Sequence, residues 1–183
     1  AALRLAPRAK DAWIQKLNRG STLVALGKSE EALLDLQDAV TMSKADKLSL
    51  LGRGAALHSM QRWDEAAADY GAVVEKAALD VQPFWLRYSL ELFQLDRRQE
   101  ALGIVRRVAN KFDLEPECAA AASSMLWDGG SESDQTEAVR RWKALPEPVR
   151  LRAATLINTR GYEVRQWPPK ADAAAQTFLK SLS

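Results

Sequence analysis

Apolar residues in this chain recur every three or four positions over helix-length segments, and period-two alternation stands out nowhere. Such spacing puts the apolar side chains on one stripe of a helix, where they can be buried together. The stripes are interrupted at Gly27, Val81-Gln82-Pro83, Pro116, the polar run 128–134, Pro146 and Pro148. Proline lacks the N–H that a helix interior needs, and glycine commonly ends a helix. The spacing therefore predicts helices over 11–26, 29–43, 46–60, 63–78, 83–95, 97–112, 116–127 and 134–144. A short helix is expected over 149–156, and a last one after Pro169. Asp11 and Ser29 are the expected N-caps of the first two helices, and Asp46 opens the third. The loop 128–134 is expected to be longer than the earlier hairpin turns.

The helices repeat in pairs. Ala32 recurs as Ala66 after 34 residues, as Ala101 after a further 35 and as Ala138 after a further 37. Each Ala follows a Glu (Glu31, Glu65, Glu100, Glu137) and precedes a large apolar residue by four positions (Leu36, Tyr70, Val105, Trp142). A small residue allows two helix axes to approach toward the short end of their usual separation of about 8–10 Å. A carboxylate in the first turn of a helix favours its positive end, the place expected for all four Glu. The large residue lies one turn on, on the face of the Ala. A period near 34 marks stacked helix pairs.

These residues resemble the tetratricopeptide repeat (TPR). In that frame the first repeat carries Trp13, Gly20, Leu23, Gly27 and Ala39, and the second Gly54, Leu57, Trp63, Ala66, Tyr70 and Val73. The third carries Trp85, Leu92, Ala101 and Val105, with Ser89 at the small position. The fourth keeps only Glu137-Ala138 and Trp142. The resemblance implies an all-α, right-handed α-solenoid of helical hairpins with a C-terminal capping helix. Residues 1–10 read as the tail of a truncated upstream repeat, with Ala2 and Pro7 in place. Residues 11–145 hold about four repeats, the last degenerate, and 146–183 form the capping segment. In that segment Ala171, Ala174, Ala175, Phe178, Leu179 and Leu182 make one stripe after Trp167-Pro168-Pro169. The step is similar to the tail of a TPR group in cyanobacteria and plastids, although Gln166 separates Arg165 from Trp167.

The 183 residues carry 26 basic and 24 acidic side chains, a balance that suggests no nucleic-acid partner by itself. From Glu137 onward nine basic residues face four acidic ones. No apolar run approaches the length needed to cross a membrane. Catalytic chemistry is thinly represented. His58 is the one histidine, so a metal site would need carboxylates alone. Cys118, the one cysteine, lies on an Ala-rich segment with no paired base, as a buried inert thiol would. Gly129-Gly130 is followed by no Lys-Ser/Thr and is not a phosphate loop. Neither enzymatic activity nor a cofactor or metal is expected.

The resemblance places Leu17, Val24, Leu48, Leu51, His58, Leu86, Arg87, Leu90, Phe93 and Trp127 on a concave groove, along with Ile14, Gln94 and Ser123. TPR proteins that clamp the acidic tails of heat-shock chaperones need Lys, Asn and Arg where this chain has Leu17, Ser21, Gly52, Pro83 and Arg87. Only Arg87 fits, so no such clamp is expected. The apolar groove suits a hydrophobic helix or an extended peptide, unless the chain's own C-terminal helix fills it. The expectation is a non-catalytic protein-binding scaffold, an assembly factor or subunit of a plastid membrane complex. The alternative is an RNA-associated helical repeat, based on Arg140, Arg141, Lys143, Arg150, Arg152, Arg160 and Arg165.

Overall fold

A computed structural model describes residues 11–76, 79–159 and 166–182. All regular structure among them is helical: α1 (Ala12–Ala25), α2 (Ser29–Met42), α3 (Lys47–Ser59), α4 (Trp63–Lys76), α5 (Trp85–Gln94), α6 (Arg98–Lys111), α7 (Pro116–Gly129), α8 (Glu132–Ala144), α9 (Glu147–Asn158) and α10 (Pro169–Ser181). The chain divides into two compact units, Ala1–Lys76 and Ala77–Ser183. The reading of residues 1–10 as an upstream repeat lies outside the described residues.

The first unit is two helical hairpins, α1 with α2 and α3 with α4, joined through α2 and α3. Ala32, Leu36, Ala39 and Ala56 are fully buried with Leu17, and Trp13, Leu23 and Val24 pack partly buried against them. Close approach is needed at Gly20, where an added Cβ would lie 2.6 Å from Leu36 Cγ. Gly27 ends the first hairpin turn at φ +75°, and Lys28 N–H donates back to the Leu23 carbonyl at 2.8 Å. The second hairpin turn repeats this bond from Arg62 N–H to Leu57 O at 2.9 Å, with Gln61 at φ 59°. Asp46 caps α3, its side chain accepting from Leu48 N–H at 2.9 Å.

In the second unit α5 pairs with α6 and α7 with α8. Ala101, Val105 and Ala138 are fully buried and Trp142 nearly so, as the repeat frame requires. Ser89 stands at the small position of α5, fully buried, its hydroxyl donating to Leu86 O at 2.7 Å. The centre is α7, where every residue from Cys118 to Leu126 is buried. It packs on α6, α8, α9 and α10. A helix without a polar face can be buried all round, and α7 has no charge between Glu117 and Asp128.

Four local expectations change. Ser29 is the first residue of α2 rather than its cap, and its hydroxyl meets that of Ser59 at 2.5 Å. Asp11 precedes α1 without a capping side-chain bond. The loop expected over 128–134 is short, because α7 continues to Gly129 and α8 starts at Glu132. Ser131 and Asp134 close a capping box there: Ser131 N–H donates to Asp134 Oδ2 at 2.7 Å, and Asp134 N–H to Ser131 Oγ at 3.3 Å. Glu137 consequently lies a turn beyond the start of α8, where it accepts from Arg106 Nε at 2.9 Å and Arg141 Nε at 2.7 Å.

Candidate partner-binding surface

The surface expected to bind a partner is built from the first helix of each hairpin, and the two units present it differently. In the first unit Ile14 and Leu48 hold equivalent places on α1 and α3 and are 39% and 57% exposed. Leu51 and Val24 are half-buried, whereas Leu17 is buried in the hairpin core. The two helices touch where an added Cβ on Gly52 would lie 2.7 Å from Leu17 Cδ1. His58 is buried, its ring 5.3 Å from that of Trp63 in an edge-on arrangement, and so belongs to the hairpin interior.

Each hairpin of this unit is tied by an arginine on its first helix and an aspartate on its second. Arg19 Nη2 donates to Asp35 Oδ1 at 2.5 Å, and its Nε bonds Oδ2. Arg53 Nε and Nη2 donate to Asp69 at 2.8 and 2.6 Å. The hydrogen bonds from Arg19, with the further charge of Lys16, hold the Asp35 carboxyl below its ordinary range. The third hairpin has Tyr88 and Ile104 at these places, so the ionic tie stops there.

In the second unit the equivalent surface is covered. Leu86, Leu90 and Phe93 are 5%, 0% and 1% exposed and are not offered to a partner in this conformation. α5 packs on α6, on α7, where an added Cβ on Gly129 would lie 2.6 Å from Phe93 Cε2, and on the chain's own C-terminal segment, which also packs on α7 and α9. Arg87 Nη1 donates to the Gln166 carbonyl at 2.9 Å. Trp167 Nε1 donates to Glu117 Oε1 at 3.0 Å. Lys170 N–H donates to Gln94 Oε1 at 3.0 Å, and its ammonium to Asp96 Oδ2 at 2.5 Å. Gln176 Nε2 donates to Ile157 O at 2.6 Å. Phe178, fully buried, sits 6.0 Å from the Trp127 ring and 5.3 Å from that of Trp142. Ala171, Ala174 and Ala175 are buried as the stripe foretold, but Leu179 and Leu182 remain half-exposed. Nothing in the sequence marks Glu117, Gln94 and Ile157 as receptors of this segment, because an amphipathic stripe gives no signal of where it will dock.

Residues with chemical potential are placed as structure. Burial, then the charges of Glu117 and Glu115, push the Cys118 thiol up to about 12, which leaves it protonated at neutral pH. Among the described residues no three His, Cys, Asp or Glu side chains gather where they could hold a metal ion. No described helix is long and apolar enough to cross a membrane. Two of the C-terminal arginines are engaged internally. Arg141 bonds Glu137 and, at 2.8 Å, Asn110 Oδ1, while Arg150 Nη1 reaches the Leu145 carbonyl at 3.3 Å. Arg160 and Arg165 lie outside the described residues.

Helical hairpins with buried Ala at a repeat near 34 residues, closed by the same turn, define the tetratricopeptide-repeat fold. No protein-family profile matches the chain. The structure is similar to that of YrrB, a TPR protein with an unusual peptide-binding site, with a TM-score of 0.66 and 17% identity over 93% of this chain and 86% of YrrB. The sequence is 27% identical over 152 residues to the DnaJ homolog subfamily C member 7 homolog of Schizosaccharomyces pombe. That match takes in 80% of this chain and 31% of the relative, so the chain spans about a third of the relative's length.

Proposed function

We propose that this protein is a non-catalytic protein-binding scaffold whose partner docks on the first unit. The observation that carries the reading is the exposure of Ile14 and Leu48 beside half-buried Leu51, on a face with no acidic side chain. The surface favours a hydrophobic helix or an extended apolar segment, because main-chain or stripe contacts to alternate apolar residues need no charge on the receptor. The likeness to YrrB supports peptide recognition as a use of this fold. The narrower role, assembly of a plastid membrane complex, rests on the Trp167-Pro168-Pro169 tail. Localisation of the intact gene product tests that part separately. The RNA-associated reading has less to rest on, since Arg141 and Arg150 are engaged within the fold.

The test is affinity capture from the source organism with the intact chain and its Leu48→Asp and Leu51→Asp variants. Leu48 is exposed enough for its variant to fold normally. Loss of a discrete set of neighbours from both folded variants is the expected result. Equal recovery would sink the reading of this face as the docking surface.

A further inference from the structure

The second helix of a hairpin meets two neighbours wherever the array continues. In the first unit α2 packs on α1 and on α3, and in the second unit α6 packs on α5 and on α7. α8 packs on α7, but α9, which follows it, lies on α7 and α10 instead. One face of α8 is therefore open, and a groove of about 470 Å³ runs along it. Half-buried Trp127 and Val139 give the groove an apolar wall, and Thr136 lies midway along it. Gln135, also in the lining, is engaged with the Trp127 carbonyl at 3.2 Å. Glu132 stands near one end and Arg140 and Lys143 near the other, all three exposed. Among the described residues no ion pair or side-chain hydrogen bond engages these three.

The rest of the chain shows what such a face requires. Gln37, Arg106 and Lys143 hold the fifth place after Ala32, Ala101 and Ala138. Gln37 accepts from Arg53 Nη1 on α3 at 3.0 Å. Arg106 donates through Nε to Glu137 Oε2 at 2.9 Å and also bonds Asp134, both on α8. Each time the following hairpin supplies the complement: a donor for the amide oxygen, carboxylates for the guanidinium. Lys143 is a donor with no such hairpin beside it, so whatever seats on α8 must bring a carboxylate.

α8 itself carries one at the matching distance. Glu132 and Lys143 are eleven residues apart, about 16 Å along the helix. They share a face with Thr136, Val139 and Arg140. A helix seated there runs antiparallel to α8, as α3 runs to α2 across a short turn. A second α8 in that direction sets Glu132 of each copy opposite Lys143 of the other, with Arg140 a turn away, and Thr136 opposite Val139. The arrangement makes each contact twice and closes on itself. A head-to-tail stack would seat α1 there instead, and α1 has no acidic residue between Ala12 and Ala25. We propose that a second copy of this chain closes the open face of α8, the two α8 helices pairing antiparallel about a two-fold axis with Glu132 of each opposite Lys143 of the other.

The test is sedimentation equilibrium of the full chain over about 10 μM to 1 mM, since one helix pair buries less than about 1,200 Å² and associates weakly. Reversible monomer–dimer behaviour is expected, weakened as salt screens the pairs. Glu132→Lys or Lys143→Glu sets like charges opposite each other and should weaken the dimer at least about tenfold. Both positions are exposed, so each variant should keep the melting temperature of the parent monomer. An equimolar mixture of the two variants should dimerise again, because each presents the charge that the other lacks. That recovery requires Glu132 of one copy to face Lys143 of the other. A chain that stays monomeric throughout would overturn the proposal and leave the face to an acidic helix of another protein. A dimer that both variants keep, species that grow beyond a dimer, or a mixture no tighter than its components would overturn it as well.

Discussion

Trp167 donates its indole N–H to Glu117 at 3.0 Å, tying the start of the C-terminal segment to the first turn of α7. The ring itself is 2% exposed, so one residue supplies both an apolar anchor and a directed bond. Trp167→Phe keeps most of the buried ring but leaves Glu117 without its donor, and should cost about 1–3 kcal/mol. Trp167→Ala should cost about 3–5 kcal/mol. Urea unfolding followed by circular dichroism measures both, and a Trp167→Phe variant as stable as the parent would show that the bond contributes nothing.

The Arg53–Asp69 pair holds α3 against α4 with an aspartate side chain 5% exposed and an arginine 20% exposed. Removing the arginine strands a nearly buried carboxylate, so Arg53→Gln should destabilise by about 1.5–3 kcal/mol. Replacing both residues with apolar ones should recover part of the loss, because the stranded charge goes too. A double-mutant cycle with no coupling energy would mean the pair is incidental to the hairpin.

Acid should loosen the first unit through Asp35. Its carboxyl is held below the ordinary range in the folded state, first by the hydrogen bonds from Arg19. A carboxyl lowered on folding stabilises fully above its unfolded value and loses that contribution as pH falls through the folded one. Stability should therefore decline below about pH 4, and Asp35→Asn should flatten that decline while lowering stability at pH 7. A titration of the melting temperature from neutral to acid pH, identical in the two proteins, would contradict this.

Cys118 should react slowly with thiol reagents under native conditions. The thiol is 6% exposed and pushed up to about 12, so almost no thiolate is present at pH 8. Denaturant should restore the rate of an ordinary cysteine. Rapid modification of the folded chain would show that α7 opens far more readily than its burial implies.

Gln61 adopts φ 59° at the second hairpin turn, where the first has Gly27. A side chain in that region costs about 1–2 kcal/mol, partly offset by the greater unfolded-state freedom of glycine. Gln61→Gly should raise stability by roughly 0.5–1 kcal/mol. A lower unfolding midpoint in Gln61→Gly would mean that the Gln61 side chain supports the turn in a way its backbone does not reveal.

The repeat was legible in the sequence because its requirement is local and steric. Gly20, Ala32, Ala66, Ala101 and Ala138 must be small wherever two helices of a hairpin approach closely, and a period near 34 records that need without reference to distant residues. The hairpin turns were legible for a similar reason at Gly27, where only the backbone is at stake. The alanine-rich run of α7 was harder, since a helix buried on every side has no periodic pattern to declare its neighbours.

Tertiary structure alone decided where the last helix goes. The stripe of Ala171, Ala174, Ala175 and Phe178 stated that one face must leave water, and burial of apolar surface has no direction of its own. The choice of α5 and α7 as its receptor came from long-range partners, Gln94 for Lys170 and Glu117 for Trp167, about fifty to eighty residues away in the chain. Leu90 and Phe93 are buried within the second unit, whereas Ile14 and Leu48 are exposed in the first. Sequence therefore set which residues belong to the repeat, and the packing of non-local elements set which of them stay at the surface.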